Sequence, residues 1–215
     1  MINVEDQNQL FKLIAKYITK DIYCTAIGGT AMMYLGYKNI TKDIDIVFNN
    51  QEDRKIFVEA ITKLGYREKS LIGIYDKDKQ KNKNKPQIFE RGEERFDLFV
   101  KNVFGFKIKT EFVQRIDFIQ EKELIIHTLT EEDLILLKAI TGREKDYEDI
   151  ETIIKTKEEI NWDYIIDEAI KQKESNEWIL IDLEETMRKL QKITFIKEKY
   201  FKKLYSKNNV IPDNK

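Results

Sequence analysis

Asp43-Ile44-Asp45 places two carboxylates at i and i+2. On an extended strand those side chains share one face, ~6.6 Å apart along the backbone. Asp is depleted in strands and two anions on one face repel, so the arrangement needs a compensating cation or open water. A divalent ion removes the repulsion, since Mg²⁺ takes one or two carboxylates together with phosphate oxygens and waters. The alternative is a strand end whose two acids are simply hydrated. Upstream, a strand over 23–27 runs into Gly28-Gly29 and a helix opening at Thr30. A glycine turn before a helix N-terminus offers backbone N–H groups, a positive dipole end and a hydroxyl to a phosphate; it also serves as a plain turn. Neither a P-loop nor a G-x-G-x-x-G dinucleotide fingerprint is present. Downstream, Arg95-Phe96-Asp97-Leu98-Phe99-Val100 reads as a strand with Phe96, Leu98 and Val100 on one face and Asp97 and Phe99 on the other. A carboxylate beside Phe99 is costly to bury unpaired. Either a surface partner such as Arg95 or Lys101 neutralises Asp97, or it faces Asp43 and Asp45. Three carboxylates together would suit two-metal phosphoryl transfer.

The elements that must carry these residues follow from periodicity. Helices are predicted over 6–20, 30–37 and 54–64, and strands over 23–27, 43–48, 70–75, 87–90, 95–100 and 123–127. Residues 76–85 contain no apolar side chain and read as a solvated loop, whose lysines could alternatively grip an RNA backbone. Beyond Thr128 the pattern is helical: 130–141, 144–156, 161–173 and one long segment near 177–206. Strands mixed with helices and then a run of helices predict an α/β (α+β) protein. The expected division is an α/β domain over 1–128 and a helical domain over 129–215.

Gly28-Gly29-Thr30, Asp43-Ile44-Asp45 and the later strand acid Asp97 together resemble the signature of the DNA polymerase β-like nucleotidyltransferase superfamily. The stretch from Glu132 to Ile150, with Lys138 followed by Lys145-Asp146-Tyr147-Glu148-Asp149, is similar to the corresponding segment of AbiEii-like nucleotidyltransferases, many of them toxin components. The resemblance spans roughly residues 23–154. It implies a minimal nucleotidyltransferase fold, a mixed sheet flanked by helices and followed by an all-helical C-terminal region. It also implies Mg²⁺ or Mn²⁺ and a nucleoside triphosphate donor. By position, Gly28, Gly29 and Thr30 would cradle the triphosphate, and Asp43, Asp45 and Asp97 would hold metal, with Asp97 beside the acceptor hydroxyl. Lys138 would lie near the phosphates, and Asp146 matches the acid that follows it. The acceptor expected from resemblance is RNA, such as a tRNA 3′ end, or a protein hydroxyl, with an antitoxin as partner if the chain is a toxin. Two rivals remain: an inactive partner-binding module of the same fold, and a small-molecule, antibiotic-type nucleotidyltransferase.

Lys138 also has a reading of its own. It interrupts an apolar run from Leu134 to Ile140, and a buried lysine needs either a partner or a phosphate. For Lys145 and Asp149 the i, i+4 spacing predicts an exposed ion pair, and Asp146 suits a helix N-terminus. Composition narrows the rest. In 215 residues, 38 Lys+Arg against 39 Asp+Glu give a net charge of −1, so any polyanion binding must come from a local patch. The single Cys24 and single His127 exclude a disulfide framework and a Cys/His zinc site. No apolar run reaches the ~20 residues of a membrane span, and the polar start does not read as a signal peptide, so a cytoplasmic location is expected.

Overall fold

The computed structural model describes residues 1–70, 85–108, 119–121 and 123–208. The strand predicted over 70–75 and the lysine-rich loop lie almost wholly outside them. Two compact units divide the chain, Met1–Thr130 and Glu131–Lys215.

The first unit is built on one mixed sheet. Its path contains β2 (Ile22–Ala26), β4 (Ile44–Phe48), β5 (Arg67–Lys69), β6 (Gln87–Arg91), β7 (Glu94–Val100), β10 (Ile119–Glu121) and β11 (Leu124–Thr128), in the order β10-β11-β2-β4-β7-β6-β5. The pairs β11–β2 and β4–β7 are parallel, and the other neighbours are antiparallel. A short antiparallel pair, β1 (Ile2–Asn3) with β3 (Ile40–Thr41), stands apart, and β8 (Asn102–Val103) with β9 (Phe106–Lys107) extends β7. Two-residue strands leave no periodicity, and none of these four was expected.

Three helices belong to this unit: α1 (Val4–Ala15), α2 (Gly28–Tyr34) and α3 (Gln51–Lys63). The helix predicted over 6–20 starts earlier because the Asn3 side chain caps Asp6 N at 2.9 Å. It stops earlier because Lys16, Tyr17 and Ile18 donate to carbonyls only three residues back. Likewise α3 gains a turn from Asn50, which accepts from Asp53 N and donates to the Asp53 carboxylate, both at 2.8 Å.

Strand parity decides what faces what. The core joins Leu10, Phe11 and Ile14 of α1 and Phe57, Ala60 and Ile61 of α3 to the even-numbered residues of the central strands: Ile22, Cys24, Ala26, Ile44, Ile46, Phe48, Phe96, Leu98, Leu124 and Ile126. The predicted split within 95–100 therefore holds, and odd-numbered residues of β4 and β7 lie on the opposite face. Cys24 is a core residue whose thiol burial pushes well above its ordinary pKa.

The second unit contains α4 (Glu131–Thr141), α5 (Glu144–Thr156), α6 (Trp162–Gln172), α7 (Ile179–Leu190) and α8 (Glu198–Asn208). Every residue from Glu132 to Ala139 is buried, as the apolar run predicts. The long helix expected over 177–206 is instead two helices. The chain breaks after Leu190, where Lys192 N and Ile193 N bond three residues back to Lys189 O and Leu190 O. It then buries Ile196, and Arg188, Tyr205 and Glu184 tie α8 to α7 by hydrogen bonds. An apolar stripe with gaps cannot distinguish one helix from two that fold back on each other. No helix among the described residues is long and apolar enough to cross a membrane.

Candidate active site

The parallel register of β4 and β7 pairs Asp45 with Asp97 and Ile44 with Phe96. Residues paired in parallel strands point the same way, so Asp45 and Asp97 are side by side on the face away from the core. Asp43, two residues before Asp45, and Arg95, two before Asp97, share that face.

Arg95 links two of the acids. Its Nη2 lies 2.8 Å from Asp43 Oδ2, and its Nε donates to Asp97 Oδ1 at 2.8 Å. Nη2 also donates to Asp97 Oδ2 at 3.2 Å. The Asp97 side chain is only 1% exposed, against 17% for Arg95 and 22% for Asp43. The surface partner considered for Asp97 is therefore real but largely buried. Among the described residues no group of three or more His, Cys, Asp or Glu side chains has an arrangement that could hold a metal ion. At this face the Arg95 guanidinium lies between the carboxylates of Asp43 and Asp97. Chemically the donors are carboxylate oxygens, the type a hard divalent cation takes.

The diglycine corner packs directly on one of these acids, Asp45. Gly28 has φ +56°, and a Cβ there would sit 2.5 Å from Asp45 Oδ2. A Cβ on Gly29 would collide with the Thr41 hydroxyl. Both positions thus need glycine for close approach, and Gly28 needs it for conformation as well. The glycines are the first residues of α2, with Ile27 as its N-cap, rather than a turn preceding it. Thr30 is fully buried, and its hydroxyl accepts from Asp45 N at 3.1 Å and faces Asp43 O at 3.5 Å. Thr41 Oγ1 donates to the same Asp43 carbonyl at 3.2 Å. The Thr30 hydroxyl, expected to meet a phosphate, is here committed to holding the Asp43–Asp45 backbone against the corner. Ile27 N closes the junction by donating to Asp45 O at 3.1 Å.

Lys138, Asp146 and Asp149 belong to the second unit. Lys138 Nζ lies 2.6 Å from Asp149 Oδ2 and 3.3 Å from Asp146 Oδ1, with all three side chains buried. Asp146 also accepts from Thr141 Oγ1 at 2.7 Å and from Arg143 at 2.6 and 3.0 Å. Burial pushes the Asp146 carboxyl up, but the Arg143 hydrogen bond, the Lys138 charge and the Thr141 hydroxyl outweigh it, and the group sits below its ordinary pKa. Asp149 is thus a buried partner of Lys138 rather than half of an exposed pair with Lys145. The buried lysine has carboxylate partners, and it also borders a cavity of about 340 Å³ together with Arg143, Tyr147 and Lys189.

Arg95 and Asp149 are the residues whose part in these clusters sequence reasoning undervalued. Arg95 was readable from parity, standing to Asp97 as Asp43 stands to Asp45, but only the register of β4 and β7 puts the two pairs together.

Solved structures with a similar fold include ANT(2″)-Ia in complex with adenylyl-2″-tobramycin, at 14% identity and TM-score 0.48 over 85% of this chain and 98% of that one. JHP933 from Helicobacter pylori is 12% identical with TM-score 0.47, over 95% of this chain and 88% of that one. No curated protein matches the sequence. A family model matches residues 5–203, and the chain belongs to that family, DUF6036, the nucleotidyltransferases of unknown function.

Proposed function

We propose that this chain transfers a nucleoside monophosphate from a nucleoside triphosphate to a hydroxyl group, releasing pyrophosphate. The observation that carries the reading is the strand face shared by Asp43, Asp45 and Asp97, with Asp45 packed against Gly28. Asp43 and Asp45, with Asp97, are the residues that would hold Mg²⁺ or Mn²⁺. What such an ion supplies when bound is Lewis acidity, offsetting negative charge on the transferring phosphoryl group.

The chain's own residues do the positioning. Gly28 and Gly29, lacking side chains, let Asp45 and Thr41 pack against the corner, whose backbone N–H groups would meet the triphosphate, and Thr30 ties that corner to the Asp43–Asp45 backbone. To Asp97, one strand over from Asp45, we assign the proton of the acceptor hydroxyl; in this structure both of its oxygens accept from Arg95. Lys138, with Arg143 and Lys189 around the same cavity, is a candidate phosphate contact, and Asp146 holds Lys138 and Arg143 in place. RNA, including a tRNA 3′ end, and a protein hydroxyl are the acceptors we favour, with a small polyhydroxylated compound such as an aminoglycoside as the alternative.

The test incubates the full chain with each α-labelled NTP and Mg²⁺, offering total RNA, a cell extract or an aminoglycoside panel as acceptor. Label should enter one acceptor class, and a variant carrying Asp43→Ala with Asp45→Ala should lose at least 1,000-fold of the rate, as expected when charge stabilisation at the phosphoryl group is removed. Undiminished labelling by that variant would overturn the assignment. Absence of labelling with every NTP and acceptor would favour a partner-binding module.

A further inference from the structure

The cavity of about 340 Å³ lies wholly within the second unit and is lined from α4, α5 and α7. Its cations are already matched: Lys138 by Asp146 and Asp149, Arg143 by Asp146, and Lys189 by Glu185, with Glu144 also in the wall. Charge therefore does not select what fits. Ile150 and the Tyr147 ring supply apolar area instead, and Thr186 and Tyr147 supply hydroxyls. Elsewhere the hydroxyls of the helical residues Thr62, Thr152 and Thr156 donate to the carbonyl four residues back. Thr186 lies within α7 and is only 9% exposed, yet its hydroxyl has no hydrogen-bond partner among the described residues. The Tyr147 hydroxyl has none among them either. A hydroxyl so deeply placed is costly unless the space it lines receives a donor or acceptor.

We propose that this cavity takes the base of a nucleotide and that Tyr147 and Thr186 set which base is preferred. A nucleobase is flat, uncharged and rimmed with hydrogen-bond donors and acceptors. It therefore suits a site whose charges are spent, whose wall is an aromatic ring and whose open polar groups are two hydroxyls. Tyr147 gives contact area to any base, whereas the Thr186 hydroxyl meets only an edge that offers it a partner. The volume is at the small end for ligand sites, which favours a base over a whole nucleotide. Phosphates of the same nucleotide are left to the mouth, where the Arg143 and Lys189 side chains are 63% and 54% exposed. The inference rests on the reading that the chain binds a nucleotide and adds to it the choice of base.

The experiment titrates each common ribonucleoside and its 5′-monophosphate into the full chain in EDTA, following binding by saturation-transfer NMR. Wild type, Tyr147→Leu, Tyr147→Phe and Thr186→Val are compared, with a thermal melt of each. One base should bind best to wild type. Tyr147→Leu should weaken every base about tenfold or more, as expected when a stacking ring is lost. Thr186→Val keeps the branched shape and loses the hydroxyl, so it should weaken the best base about fivefold and leave the others little changed. Tyr147→Phe keeps the ring, so it should retain affinity and lose part of the preference; with Thr186→Val it decides the matter if the Leu variant does not fold. The variant carrying Asp43→Ala with Asp45→Ala should bind the nucleosides as wild type does, so failure of transfer and failure of base binding are read separately. The inference is overturned if no nucleoside or monophosphate binds at millimolar concentration, if wild type binds all bases alike, or if binding ignores both Tyr147 and Thr186.

Discussion

At the scale of single residues, the site depends on two close approaches that forbid a side chain. Gly28→Ala would add a Cβ 2.5 Å from Asp45 Oδ2 and strain a φ of +56°. The Asp45 side chain is the element that can yield, so the substitution should move it. We expect a loss of about 1–2 kcal/mol in stability, read by denaturant unfolding, and at least tenfold weaker Mn²⁺ binding. Serine at the same position should be as damaging, because the conformation as well as the space is at fault. An alanine variant with wild-type melting and wild-type Mn²⁺ affinity would show that the corner does not fix Asp45.

Elements join these residues into networks, and here the buried Lys138 cluster makes the sharper prediction. Lys138→Met removes the cation between Asp146 and Asp149, leaving buried carboxylates undercompensated, and should cost ~3 kcal/mol. Pairing it with Asp149→Asn should recover a large part of that loss. If the double variant melts close to wild type yet no longer labels an acceptor, Lys138 contacts the nucleotide; if labelling returns with stability, its role is structural. The same cluster sets a pH dependence. Asp146 has its folded pKa below the ordinary value of 3.8, so its contribution is fully present above that pH and is lost as pH falls through the folded pKa. Asp146→Asn should therefore flatten the acid limb of a stability–pH profile below about pH 4 while lowering stability at neutral pH. An unaltered acid limb would contradict the network.

For the whole molecule, near-cancellation of 38 basic and 39 acidic residues governs colloidal behaviour rather than fold. Net charge vanishes close to pH 6.1, where light scattering should rise and solubility pass through a minimum at low salt. A solubility minimum far from that pH would mean that one sign of charge is sequestered inside the structure.

Strand parity was legible in the sequence because side chains alternate with period two whatever the neighbours are. That alternation already separated Phe96 and Leu98 from Asp97, and Ile44 and Ile46 from Asp43 and Asp45. Polar caps were legible less well, since Asn3 and Asn50 lie outside the apolar periodicity that marks a helix. The break after Leu190 was not legible at all, because no glycine or proline announces it and the stripe continues beyond it. The chain's own order of residues determined that two acids share one face, that a third stands on a later strand, and that a lysine interrupts a buried helix. Only the tertiary structure decided that Asp97 lies beside Asp45, that Arg95 is clasped between Asp43 and Asp97, and that Asp149 answers Lys138. Register between strands and contacts between helices are set by long-range packing, and no local period encodes them.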